Sequence, residues 1–387
     1  MPDQREVVIT GVGVVCPIGV GREPFWRALE AGQSGVGWIK EYEHTDLPFR
    51  IAGLIKGFDA KEFVQPRKTI KVMCSEIQAA YASAMLATQD AGLPKGSVPA
   101  ERMGVVLGSE ILYGDVEETG EVFRHCMESG QFDFSRWGDF AFKDLFPLWM
   151  LKYLPNMAAC HISIACDAHG PNNSIVEGGA SSLLALNEAT MVIQRGHADV
   201  MLAGGSGSTA SIGCLPFRGW EHLSQWPGDP TGASRPFDAR RSGIVPGEGS
   251  AVFVLEDREH AERRGAKILA RLLGFASRYE ACTHGQPFQG TAIRQSIVAA
   301  LASAGVSPDE IGHVNAHGDG GIEHDRVEAL AIRETLGDVP VTAPKSYFGD
   351  LSAGSGAVEM AASVLGLAHG QIPPTLNYET FDPACPV

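Results

Sequence analysis

Residues 175–186, IVEGGASSLLAL, run from a short β-branched stretch through paired glycines into an apolar helix beginning near Ser181. A strand that turns through glycine into a helix is the elbow of an α/β protein, and such elbows usually present something at the tip. Here the tip is glycine, where a nucleophile would be expected. Paired glycines alone signal a tight turn or close packing, so this stretch points to the architecture and leaves the chemistry open. Ser181 and Ser182 stand at the helix start, where capping is better supported than nucleophilic attack.

Outward from the elbow, Ser181 to Gln194 carries Leu183, Leu184, Leu186 and Val192 with few charges, which predicts a buried helix. A second, alanine-rich helix is predicted over Ser75 to Asp90 and stopped by AGLP. Between such helices lie Val/Ile/Leu-rich runs: REVVITGVG, RMGVVLGSE, ADVMLAGGSGS, SAVFVLED, KILARLLGFAS, IGHVNAHG and VPVTAPKS. Apolar strands alternating with helices predict an α/β fold whose central strands are buried on both faces. The strand, glycine turn and apolar helix of 174–195 recur weakly at 341–370, so two similar halves are expected.

Residues 109–157 break this pattern with an aromatic-rich insertion that has no steady period. Such a segment is read either as a satellite cluster over the core or as a partner or ligand surface.

A chain of 387 residues exceeds what one simple core supports. Its formal charge of −15 argues against a nucleic-acid or anionic-membrane surface. No apolar run approaches a membrane span and the start lacks a secretory pattern, so a soluble, cytoplasmic protein is expected. The cysteines show no C-x-x-C spacing, and neither a metal site nor a disulfide framework is expected.

For chemistry, HVNAHGDGG at 313–321 places His317 at a strand's carboxyl end beside a flexible turn, where an imidazole can donate hydrogen bonds or shuttle protons. Asp325 and Glu328 lie three apart on a predicted helix, and Lys345 in APKSYFGD is read as the partner of one of them. Asp350 precedes a glycine-rich helix start, where it can serve as a cap. GVGVVCPIG has the wrong glycine spacing for a dinucleotide site and no G-K-[ST] occurs, so no nucleotide cofactor is expected.

Eight ordered segments together resemble the β-ketoacyl-acyl-carrier-protein synthase (ketosynthase) family: VVITGVGVVCPIG, LPNMAACHISI, GPNNSIV, VIQRGHADVMLAGG, SRPFDARRSGIVPGEGSAVFVLED, HVNAHG, PKS and QIPPTLNYE. The resemblance implies a thiolase-like α/β fold, with two pseudo-repeated halves in a five-layer αβαβα arrangement. It divides the chain into an N-terminal half, 1–256, and a C-terminal half, 257–387. It further implies a homodimer, or a heterodimer with an active ketosynthase, and a carrier protein bearing acyl or malonyl thioesters as partner. The chain stops at TFDPACPV, without the family's terminal Gly-Phe-Gly-Gly loop and final strands, so either a truncated edge or one completed differently is expected.

Family enzymes use a cysteine at the elbow and two histidines, supported by a lysine and a glutamate. Carried over residue by residue, the first histidine is His317, the lysine Lys345 and the glutamate Glu328. Gly179 stands where the cysteine belongs and Asp350 where the second histidine belongs, and Cys160 and Cys166 are not obvious substitutes because they precede the strand. The resemblance therefore implies a protein similar to chain-length factors, unable to condense in the usual way. The alternative is altered acyltransferase or decarboxylase chemistry using His317 with Glu177 or Asp350, if a carboxylate at a buried elbow acquires a raised pKa.

Overall fold

The computed structural model describes residues 5–387 except positions 43, 46, 48, 115, 215–218 and 282–287. The elbow forms as read: strand Asn172–Ile175, a single 3-10 turn at Gly178–Ala180, then helix Ser181–Gln194. Gly178 sits at φ +57°, a left-handed conformation that side chains disfavour, so glycine is required at the first of the two positions.

The elbow's strand lies at the border of a seven-stranded mixed sheet. Its order is Ala270–Leu272, Val7–Cys16, Glu248–Asp257, Val200–Ser208, Met103–Gly108 and Asn172–Ile175, with Gly19–Val20 pairing beside Val7–Cys16. The last three run parallel and the others antiparallel.

Period-2 alternation divides the strand residues between two cores. Val105, Leu107, Val200, Leu202, Val252 and Val254 face helices Ser75–Asp90 and Met157–Cys166. Val106, Met201, Ala203, Phe253 and Leu255 face helices Ser181–Gln194 and Ser355–His369. Beyond those helices lies a short parallel pair, Val314–Asn315 with Val341–Thr342, and outside it helices Thr291–Ala304 and Ile322–Leu336. The chain therefore stacks five layers, helix, sheet, helix, sheet, helix.

The echo between 174–195 and 341–370 has a structural counterpart. After strand Val341–Thr342 a 3-10 turn at Ser352–Gly354 leads into helix Ser355–His369, and this second turn touches the first. Gly205 admits it: a Cβ there would stand 2.5 Å from the Ala353 carbonyl oxygen. The serines after the first elbow do not cap their helix, contrary to expectation. Ser181 Oγ closes the turn, accepting from Glu177 N and donating to Gly178 O, while Ser182 Oγ accepts from Ala357 N of the second elbow's helix.

The aromatic insertion folds into short helices, Val116–Cys126 and Trp137–Asp144, around a small core of Val122, Cys126 and Leu145. Many of its large side chains stay in solvent, Phe142 at 95% and Phe134 at 74% exposure. It is a satellite cluster that also presents apolar surface.

Gly13 marks the closest approach of helix Ser75–Asp90 to the sheet, since a Cβ there would lie 1.9 Å from the Ser83 carbonyl oxygen. Gly13→Ala is expected to cost about 1–3 kcal/mol by forcing strand and helix apart. Urea unfolding checks this, with a lower midpoint at unchanged slope expected.

Candidate functional site

Three chain segments converge where the elbows meet the second sheet. Strand Val314–Asn315 exits into His317, and strand Val341–Thr342 exits into Lys345. Glu328, on helix Ile322–Leu336, holds the first exit in shape: its carboxylate accepts from the backbone N–H groups of His317 at 2.7 Å and Gly318 at 2.8 Å. His317, Lys345 and Glu328 are thus brought together.

Lys345 is fully buried and directs its ammonium at three acceptors: the Glu359 carboxylate, His317 O at 2.9 Å and His317 Nδ1 at 3.0 Å. This corrects the expected pairing with Asp325 or Glu328, because Glu328 is engaged with backbone amides and the lysine's counter-ion comes from helix Ser355–His369. Burial opposes the charge on Lys345, but Glu359, with help from Asp350 and Asp319, outweighs it and raises the amine. Asp325 instead accepts from Phe237 N at 2.7 Å and Gly320 N at 3.1 Å. Burial first, and then the charge of Asp319, push Asp325 up to about 7.

Asp319 escaped the sequence reading. It is buried, its Oδ1 accepts from Gly321 N at 2.7 Å, and its Oδ2 stands 2.8 Å from His324 Nδ1 and 3.7 Å from His317 Nε2. Burial opposes its ionisation, but the two histidines hold its carboxyl well below the usual range.

At His317 the Lys345 charge opposes protonation most and burial opposes it too. Asp319 and Glu328 pull the other way, favouring the charged ring. Only one proton fits in the 3.0 Å contact between Nζ and Nδ1. Lys345, surrounded by carboxylates, is the base that holds it, so His317 carries its own proton on Nε2, facing Asp319.

Gly179 faces this ring. A Cβ at position 179 would meet His317 Cε1 at 3.7 Å, and no other described atom lies within 4 Å. The site therefore has room for a side chain that the sequence does not supply.

Asp350 lies at the base of the second elbow, where its Oδ1 accepts from Ser352 N at 3.1 Å and Ser355 Oγ at 3.0 Å; the cap positions of the turn and of the helix are Leu351 and Gly354, so it is not the expected helix cap. With Thr209, His222 and His324 it lines a cavity of about 170 Å³. Glu177 differs from expectation: it is exposed, and among the described residues its carboxylate makes no hydrogen bond or ion pair. Its strand is at the sheet border, so this chain alone provides no dry surroundings for it. Cys160 and Cys166 sit on helix Met157–Cys166, which covers the opposite face of the sheet from the elbow's helix, and burial pushes the Cys166 thiol up to about 11.

Residues 4–261 match the beta-ketoacyl synthase N-terminal domain and residues 269–379 its C-terminal domain. The chain is 34% identical over 383 residues to the 3-oxoacyl-acyl-carrier-protein synthase 2 of Vibrio cholerae serotype O1, covering 97% of this chain and 89% of that one. Among solved structures it is similar to the ishigamide ketosynthase/chain length factor, with 27% identity, a TM-score of 0.85, and 99% of this chain and 91% of that chain covered. It is also similar to a type II polyketide-synthase acyl-carrier protein in complex with its ketosynthase bound to the hexaketide. There the identity is 28% and the TM-score 0.83, with 100% of this chain and 92% of that chain covered.

Asp319 raises His324 above its ordinary value of 6.5, chiefly by hydrogen bonding, and also favours the charged form of His317. A histidine raised on folding contributes stability in full below its ordinary pKa and loses it as pH rises through the folded value. The stability lost in Asp319→Asn is therefore expected to be larger near pH 6 than near pH 9.5, by about 1 kcal/mol. It is that small because water screens side chains that are 49% and 57% exposed. Denaturation at both pH values checks it; an equal loss at both would contradict the assignment.

Proposed function

The chain belongs to the beta-ketoacyl synthase family, and we propose that within it this protein is a non-condensing subunit, similar to a chain-length factor, that pairs with a cysteine-bearing ketosynthase. The observation that carries this reading is the glycine at 179, opposite the His317 ring. Covalent condensation needs a thiol there to accept the acyl group as a thioester, and glycine has no side chain with which to form one. Asp350 supports the same reading, since an ionised carboxylate near the elbow repels the enolate that a donor would stabilise. Its work is then to bind a partner and to shape the space in which a carrier-borne acyl chain is built.

The border of the main sheet suits such a partner. Among the described residues, nothing pairs with the outer edge of strand Asn172–Ile175, and exposed Ile164 and Val176 lie on or beside the adjoining elements. The insertion adds exposed Phe134, Phe142 and Met150. Open edges and large apolar patches are the features that protein interfaces cover.

Mixing with cysteine-bearing ketosynthases from the same organism, followed by native mass spectrometry, tests the proposal. A 1:1 heterodimer is expected, with chain extension lost when either subunit is omitted. A protein that stays with itself against every such synthase and condenses alone would refute it. Phe142→Glu, at a solvent-facing position, is expected to leave the unfolding midpoint within about 0.5 kcal/mol of wild type. The same substitution is expected to weaken the heterodimer about tenfold or more, measured by titration of one subunit into the other.

A further inference from the structure

Neither nitrogen of the His317 ring comes within 4 Å of a Cβ built at position 179. Nδ1 faces the Lys345 ammonium at 3.0 Å, Nε2 faces Asp319 at 3.7 Å, and the atom nearest the elbow is Cε1, the carbon between them. Lys345 uses its three N–H groups on three acceptors, so it leaves Nδ1 no proton to offer. The only hydrogen-bond donor left on the ring is Nε2–H. A buried carboxylate lies across from it, held in place by Gly321 N at 2.7 Å and shared with His324 at 2.8 Å.

We propose that Asp319 is a positioning residue that draws the Nε2–H of His317 away from the elbow, so the ring is silenced toward anything bound at position 179 by a contact separate from the missing thiol. The carboxylate competes, with a full charge in a buried place, for the donor that a thiolate or a thioester oxygen at the elbow would need. His324 moderates the competition by taking part of the same oxygen. The other charged groups around the ring fit this assignment. Glu328 is used up by the His317 and Gly318 amides, Glu359 and Asp350 act on Lys345, and Asp325, against Arg241, bonds Phe237 N and Gly320 N. None of them faces Nε2 as Asp319 does.

The inference rests on the reading of position 179 as the elbow tip and is independent of the partner subunit. Failure to form a heterodimer would leave the rates below unchanged. The experiment uses Gly179→Cys in the full chain, which puts a thiol at the helix start next to the ring. Acylation by an acyl N-acetylcysteamine thioester is followed by intact mass across pH. In this step the thiolate attacks the thioester carbonyl, the acyl group moves to the protein sulfur, and N-acetylcysteamine leaves as its thiol.

With Asp319 present, the rate is expected to follow a thiol titrating near its ordinary value of about 8.5. Adding Asp319→Ser is expected to raise the rate at pH 7 about tenfold or more and to move the midpoint of the pH profile down, because Nε2–H is freed to stabilise the thiolate. Asp319→Asn, which still offers an acceptor oxygen, is expected to fall between. His324→Gln, at an exposed position where folding is not at risk, is expected to act in the opposite direction, slowing acylation and raising the His317 titration midpoint seen by NMR. Rates and midpoints within twofold of Gly179→Cys for both Asp319→Ser and His324→Gln would overturn the proposal.

Discussion

The site depends on one buried cation. Lys345 has almost no contact with water, and an ammonium in that position is tolerated only if its charge and its three N–H groups are all met. Glu359 supplies the charge, and the carbonyl and Nδ1 of His317 complete the set. Lys345 follows strand Val341–Thr342, and its partners come from two other segments, the exit of strand Val314–Asn315 and helix Ser355–His369. One ammonium therefore fixes both the position and the tautomer of the imidazole at the elbow.

Around that fixed centre three residues act in one direction. Gly179 presents no side chain where there is room for one, Asp350 places a carboxylate at the base of the second elbow, and Asp319 brings a carboxylate to the remaining nitrogen. Steric collapse does not account for the glycine, because a Cβ at 179 meets only Cε1 at an ordinary contact distance.

Much of this was legible in the sequence, and the gaps have physical reasons. Helices Ser75–Asp90 and Ser181–Gln194 form as their patterns predict, since apolar content and glycine stops are local signals. His317, Lys345 and Glu328 were readable because each lies in a short distinctive segment. Glu359 was not, although a lone carboxylate in the apolar run GSGAVEMAASVLGL is a signal that something buried must pair with it. Asp319 was hidden between glycines, where an acidic residue reads as turn chemistry. Glu177 was misjudged because its exposure follows from strand Asn172–Ile175 lying at the sheet border, which is a property of strand order and leaves no mark on local sequence.

The central claim is that the elbow lacks an acyl-accepting atom at position 179. Intact-mass analysis after exposure to an acyl thioester tests it most directly, with wild type and Gly179→Cys compared side by side. The account predicts no adduct on wild type and a single acyl adduct, mapped to position 179, on the variant. An acyl adduct on the wild-type protein, or none on a folded Gly179→Cys, would contradict it.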